Sequence, residues 1–144
     1  MMTKEKMEVF FCRIDQLTPL NKPLFGKMNV NQMICHCTDA LRMAFGEKKA
    51  EEYGKANVNE IIALARSGKT APAPKGFDQV KGEGTPPVNF EIDKLKLKEY
   101  IKRFVELPSD FKFAEHPFFG FMDRRRWESL MDYHLDHHLR QFGV

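Results

Sequence analysis

Apolar residues recur along this chain at helical spacing. Met7, Phe10, Phe11, Ile14 and Leu17 follow the i, i+3, i+4, i+7 pattern of one helical face, and Pro19 stops the run, so residues 4 to 17 predict a first helix. A second starts from a cap at Asn29 or Asn31 and reaches about Phe45, closed by Gly46, with Val30, Met33, Ile34, Cys37, Leu41 and Ala44 along one side. Residues 57 to 67 predict a shorter helix ended by Gly68. Phe90 to Leu107 resume the spacing through Leu95, Tyr100, Ile101, Phe104 and Val105 until Pro108. Asp123 is a good N-cap for a last helix that reaches about Gln141, just before Gly143.

Between Lys69 and Asn89 the pattern breaks. Pro72, Pro74, Pro86, Pro87, Gly76, Gly82 and Gly84 are too dense for a regular element, and they predict a long surface loop, functional or simply mobile. No segment alternates with the period of two that a strand requires. The expected fold class is therefore all-α: a four-helix bundle with one additional short helix and a long Pro/Gly-rich loop. At 144 residues the chain has the length of one domain, 1 to 144, and can bury a core without staples.

Composition narrows the function classes. With 42% hydrophobic and 30% charged residues the chain is an ordinary globular sequence, and 13 Phe and 8 Met supply large side chains for helix packing. The net charge of +3 arises from scattered residues, so a nucleic-acid partner is not indicated, and Arg124, Arg125 and Arg126 read as a solvated helix start. Cys12, Cys35 and Cys37 form an odd set without a CxxC pair, which points to a reducing, cytoplasmic setting. No apolar stretch approaches the ~20 residues of a membrane span, and the N-terminus lacks the apolar core of a signal peptide.

The candidate chemistry lies on the last helix. At ~100° per residue, Trp127, Leu130, Met131, His137, His138 and Gln141 fall within about 60° of His134, opposite a polar face of Arg125, Ser129, Asp132, Asp136 and Arg140. The histidines thus continue the apolar stripe. An unpaired polar ring there costs roughly 2 kcal/mol or more, and adjacent protonated rings would repel. A metal ion satisfies both demands. His134 and His138, at i and i+4, can converge on one ion, as in the helical HExxH pair.

Two ligands are too few, and His36 is the best third. It borders the apolar side of the second helix, with Asp39 one turn on to orient it or to bind metal itself. Cys35 and Cys37 point elsewhere and are not counted as ligands. His137 shares the face of His134 and could replace either partner. His116 reads first as a surface histidine and otherwise as a residue at the mouth of the site. Gly68-Lys69-Thr70 does not complete a P-loop, because Ala63 stands where the first glycine is required.

The run His134-Leu135-Asp136-His137-His138-Leu139-Arg140-Gln141 resembles the closing H-x-x-H-H-x-x-Q motif of the DinB-like (YfiT-like) superfamily of metalloproteins. The segment from Gln32 to Leu41, with His36 followed three residues later by Asp39, resembles the second-helix pattern of the same superfamily. His116-Pro117-Phe118-Phe119-Gly120, Trp127 and the ending HLDHHLRQFG are similar to one branch of it. The resemblance implies a four-helix bundle with a nickel or zinc ion on His36, His134 and His138, and makes His137 and Gln141 neighbours of the site. Members of known activity are thiol-dependent transferases or isomerases that use a low-molecular-weight thiol, while others are linked to stress or DNA damage.

Two function classes follow. In the first, the metal makes a bound thiol or water nucleophilic, giving a metal-dependent thiol transferase or hydrolase with a small-molecule substrate. In the second, the metal only staples two helices in a binding or structural module. Phe118, Phe119 and Phe121, if exposed, favour a homodimer.

Overall fold

The computed structural model describes residues 1–144 and is all-helical, with no strand beyond an isolated bridge between His116 and Gly120. Five helices follow in order: α1 Lys4–Asp15, α2 Val30–Phe45, α3 Val58–Arg66, α4 Phe90–Val105 and α5 Arg124–Gln141. Each begins at a side-chain cap. Thr3, Asn29, Asn57, Asn89 and Asp123 each accept a hydrogen bond from a backbone N–H three residues on. Of the two residues expected to cap α2, Asn29 does so, in a reciprocal capping box with Gln32. Gly46 ends α2 in the left-handed region at φ 78°, where a side chain would be strained.

α1 and α2 each pack against both α4 and α5, whereas α3 approaches no other helix closely. α2 is enclosed on nearly every side: every residue from Met33 to Leu41 is buried, the polar His36, Thr38 and Asp39 included. Ile14, Met33, Leu97 and Trp127 are fully buried between these helices, each stabilising the fold by about 1.5–3 kcal/mol. On α4 the buried face differs from the one expected. Leu97, Ile101 and Phe104 form its apolar part, while Leu95 is 67% exposed, because α4 packs on α2 and α1 and Leu95 lies about 200° around the helix from Leu97. α1 ends at Asp15, two residues short of the expected boundary, yet Leu17 still reaches the core.

The long segment between α3 and α4 carries no helix, and it is more than a surface excursion. Phe77, its one aromatic residue, is fully buried in the main core, and Gln79 is buried beside it. The anchor at the other end is Asp39 of α2. Its carboxylate accepts from the Thr85 backbone N–H at 2.8 Å and from the Thr85 hydroxyl at 2.6 Å, and it pairs with Arg42 at 3.3 Å. The connection between α1 and α2 is stitched to α5 by the Leu24 N–H, which donates to the Gln141 carbonyl at 2.7 Å. One loop is thus tied to α2 and the other to the C-terminal end of α5, the two helices that carry the site.

Candidate metal centre

α2 and α5 face one another with His36 on the first and His134 and His138 one turn apart on the second. Their ring centroids form a near-equilateral triangle with sides of 4.8, 4.7 and 4.6 Å. One nitrogen from each ring lies within 4.8 Å of the others, and no other group of histidine, cysteine and carboxylate side chains is gathered in this way. His36 Nε2 and His134 Nε2 stand 2.9 Å apart.

The tautomer of His138 follows from its neighbours. Gln141 Nε2 donates to the Phe25 carbonyl at 2.8 Å, which leaves Gln141 Oε1 to accept from His138 Nδ1, also at 2.8 Å. The proton of His138 is thereby held on Nδ1, and the Nε2 lone pair is free for an ion. Such a partner on the second nitrogen is the usual companion of a metal-binding imidazole. Gly26 makes room for it. A Cβ there would lie 2.5 Å from Gln141 Nε2, and its φ of 78° disfavours any side chain. Gly26→Ala is expected to displace the amide and weaken metal binding by about 10–100-fold, read by competition with a chelating dye.

Burial sets the charge state. His134 and His138 are held well below the ordinary histidine range, first by loss of solvent and then by the neighbouring rings, and His36 is lowered for the same first reason. All three are neutral lone-pair donors at neutral pH. Nδ1 of His36 and Nδ1 of His134 are buried without a hydrogen-bond partner. Three neutral imidazoles gathered at one point, one of them with its lone pair fixed by an amide, could hold a metal ion.

The remaining expected residues are used differently. Asp39 neither touches His36 nor joins the cluster, because both carboxylate oxygens hold Thr85. His137 stands outside the group of three, its ring 5.0 Å from that of His138 and packed against Phe25 at 5.3 Å and Tyr133 at 5.8 Å. Cys35 and Cys37 stay out of the cluster, as expected. Cys37 is buried with its Sγ directed to Met33 Sδ at 3.7 Å, and burial pushes the Cys35 thiol up to about 12, so neither is a nucleophile.

His116 corrects the surface reading: it is only 5% exposed. The hairpin closed by its paired backbone bonds to Gly120 folds the ring onto Trp127 and Phe119, and its Nδ1 accepts from the Phe118 and Phe119 N–H groups at 3.0 and 3.3 Å. The proton is therefore on Nε2, which makes no bond within the protein. Phe118 and Phe119 are drawn in with it, so of the three aromatics behind the homodimer expectation only Phe121, at 77%, is exposed. The His-Pro-Phe-Phe-Gly turn was the available signal for this fold-back, as Phe77 was for the buried loop.

Burial holds the pKa of His116 down to about 4, against an ordinary 6.5. The unfolded chain thus takes up a proton between 6.5 and about 4 that the folded chain refuses, so stability falls on acidification through that window and levels off below it. His116 alone accounts for roughly 3 kcal/mol, and the cluster acts in the same direction. Urea unfolding should show a clearly lower midpoint at acid than at neutral pH, and His116→Asn should flatten the difference. A protein that grows more stable on acidification would contradict this assignment.

A cavity of about 800 Å³ opens over the cluster. His36, His134, His138, His116 and His137 all line it, together with the apolar side of α3, Phe77 and Phe119. No helix is long and apolar enough to cross a membrane. No curated protein and no solved structure matches the chain. A family model matches residues 13–143, a span that takes in every residue of the cluster, and on that match the chain belongs to the family described as Protein of unknown function (DUF1569).

Proposed function

We propose that this protein is a divalent-metal-binding member of the DinB-like (YfiT-like) superfamily that uses His36, His134 and His138 to hold nickel or zinc, in a thiol-transfer or hydrolytic reaction serving stress or detoxification. The observation that carries the reading is the convergence of three neutral imidazoles at the floor of a cavity large enough for a substrate. Of the two residues that could have closed a fourth position, Asp39 is held by Thr85, and His137 packs against Phe25 and Tyr133 outside the group of three. The packing of α1 and α2 against both α4 and α5 supports a four-helix bundle, to which α3 and the Pro/Gly-rich loop are additions.

A metal bound there would supply Lewis-acid activation, lowering the pKa of a thiol or water at its open position. The chain itself contributes orientation and exclusion. Gln141 holds His138 in one tautomer, His116 offers a neutral N–H donor from the cavity wall, and Phe77 gives that wall a buried apolar side chain. A second reading has a specific basis: the cluster joins α2 to α5, so an ion there would also staple the two helices.

Elemental analysis of the purified protein, followed by thiol-transfer and ester-hydrolysis assays with and without chelator, separates the readings. Activity that disappears with the metal and returns on reloading supports the enzyme. A chelator that lowers the melting temperature of a protein inactive on every thiol and electrophile supports the staple, and a protein that takes up neither zinc nor nickel ends both.

A further inference from the structure

We propose that the cavity over the histidine cluster is a binding site for an amphiphilic anion, a small molecule whose apolar body fills the space beneath α3 and whose acidic head sits at a basic rim formed by Lys27, Arg66 and Lys69. The inference stands on walls and rim and does not depend on metal occupancy.

The walls come first. α3 carries Ile61, Ile62 and Ala65 on the side that lines the cavity, yet only Ile61 is buried and the helix approaches no other helix closely. A helix with a marked apolar face normally buries it against protein. Here that face looks onto open space bounded on the other side by Met43, Phe77 and Leu130. Tyr133, whose hydroxyl donates to the Ala65 carbonyl at 3.2 Å, holds the end of α3 to α5 with a polar contact and leaves the apolar gap unfilled. About 800 Å³ of such space suits a drug-sized apolar molecule and would be costly to leave wetted.

The rim gives the ligand its charge. Lys27, Arg66 and Lys69 line the cavity from exposed positions, and none of them makes an ion pair or a side-chain hydrogen bond. They belong to one edge, because a Cβ built on Gly26 comes within 3.9 Å of Thr70 Oγ1, bringing the segment with Lys27 beside the one with Lys69. Asp78 is the one carboxylate among the lining residues, and its Oδ1 is occupied by the N–H groups of Val80 and Lys81 at 3.0 and 3.2 Å. The histidines inside are neutral. Three unpaired cations against a single carboxylate, around an otherwise apolar hollow, focus a net positive potential on the mouth, which selects an anion over a cation of the same shape.

Isothermal titration of the full chain, stripped of metal by chelation, with sodium dodecanoate below its micelle concentration tests this, with dodecyltrimethylammonium as the cationic control. Saturable binding of one dodecanoate, with no binding of the control, is expected. Affinity should fall about tenfold or more in the triple variant Lys27→Ala, Arg66→Ala, Lys69→Ala, whose exposed positions leave the core untouched. It should also weaken as sodium chloride is raised in the wild-type protein, a readout that needs no variant. Ala65→Trp, which fills the hollow from α3, should abolish binding. Absence of saturable binding, equal binding of the cation, or an affinity indifferent to salt and to the rim residues would overturn the proposal. A protein that binds dodecanoate but takes up no metal would refute the metal reading and leave this one standing.

Discussion

His138→Ala should reduce the zinc or nickel retained by the purified protein from about one equivalent to nearly none, because two imidazoles do not hold a divalent ion against dilution. Among the three imidazoles, His138 has the lone pair most firmly directed, through Gln141 and the Phe25 carbonyl behind it. Its loss also leaves the 2.9 Å contact between His36 and His134 to be satisfied by a proton instead of an ion. His137→Ala is the matched control. That ring sits one residue away in sequence, but it is wedged between Phe25 and Tyr133, so metal content should stay near the wild-type value. Elemental analysis after gel filtration reads both. Retention of metal by the His138 variant, or its loss from the His137 variant, would move the centre to a different pair of rings.

Asp39→Ala is expected to destabilise the fold by about 3 kcal/mol without emptying the metal site. Asp39 is completely buried, and its carboxylate carries the Thr85 N–H, the Thr85 hydroxyl and Arg42. Removing it strands a part-buried backbone donor and leaves Arg42, which is only partly exposed, without its acid, a combination that usually costs a few kcal/mol. Asp39→Asn keeps one acceptor and should lose roughly half as much. Denaturant unfolding measures the difference, and hydrogen exchange at the Thr85 amide locates it, since that proton should become the most accelerated in the loop. Loss of metal from the Asn variant would instead return Asp39 to the ligand set.

The His138 and Asp39 variants separate two jobs that meet on α2, at His36 and Asp39, three residues apart. His36 faces α5 and the cavity, while Asp39 faces the loop that brings Phe77 and Gln79 over the same end of the helix. Acidification acts on the first job: protons taken up by the cluster compete for the lone pairs an ion would use, while the proton excluded from His116 lowers stability, so metal and stability should be lost in the same direction of pH.

Much of this was legible along the chain. The five helices lie close to where the apolar spacing and the caps placed them, because caps and helical periodicity are local and act within one or two turns. The placement of His134 and His138 on one face was legible for the same reason, since i and i+4 are neighbours in any helix. The meeting of His36 with them could only be inferred, because it depends on how α2 and α5 approach one another. Other features were decided by tertiary structure alone. Asp39 and Thr85 are 46 residues apart, and nothing at either position signals the other. His116 reads as a surface residue until its turn folds it onto Trp127, and Leu95 reads as core until α4 packs on α2 and α1 to bury Leu97. The sequence by itself determined the helices and the face that carries the chemistry, because those follow from neighbours in the chain. Only the folded structure decided which polar groups are spent on anchoring loops and which stay free to hold a ligand, because that depends on contacts between residues the chain keeps far apart.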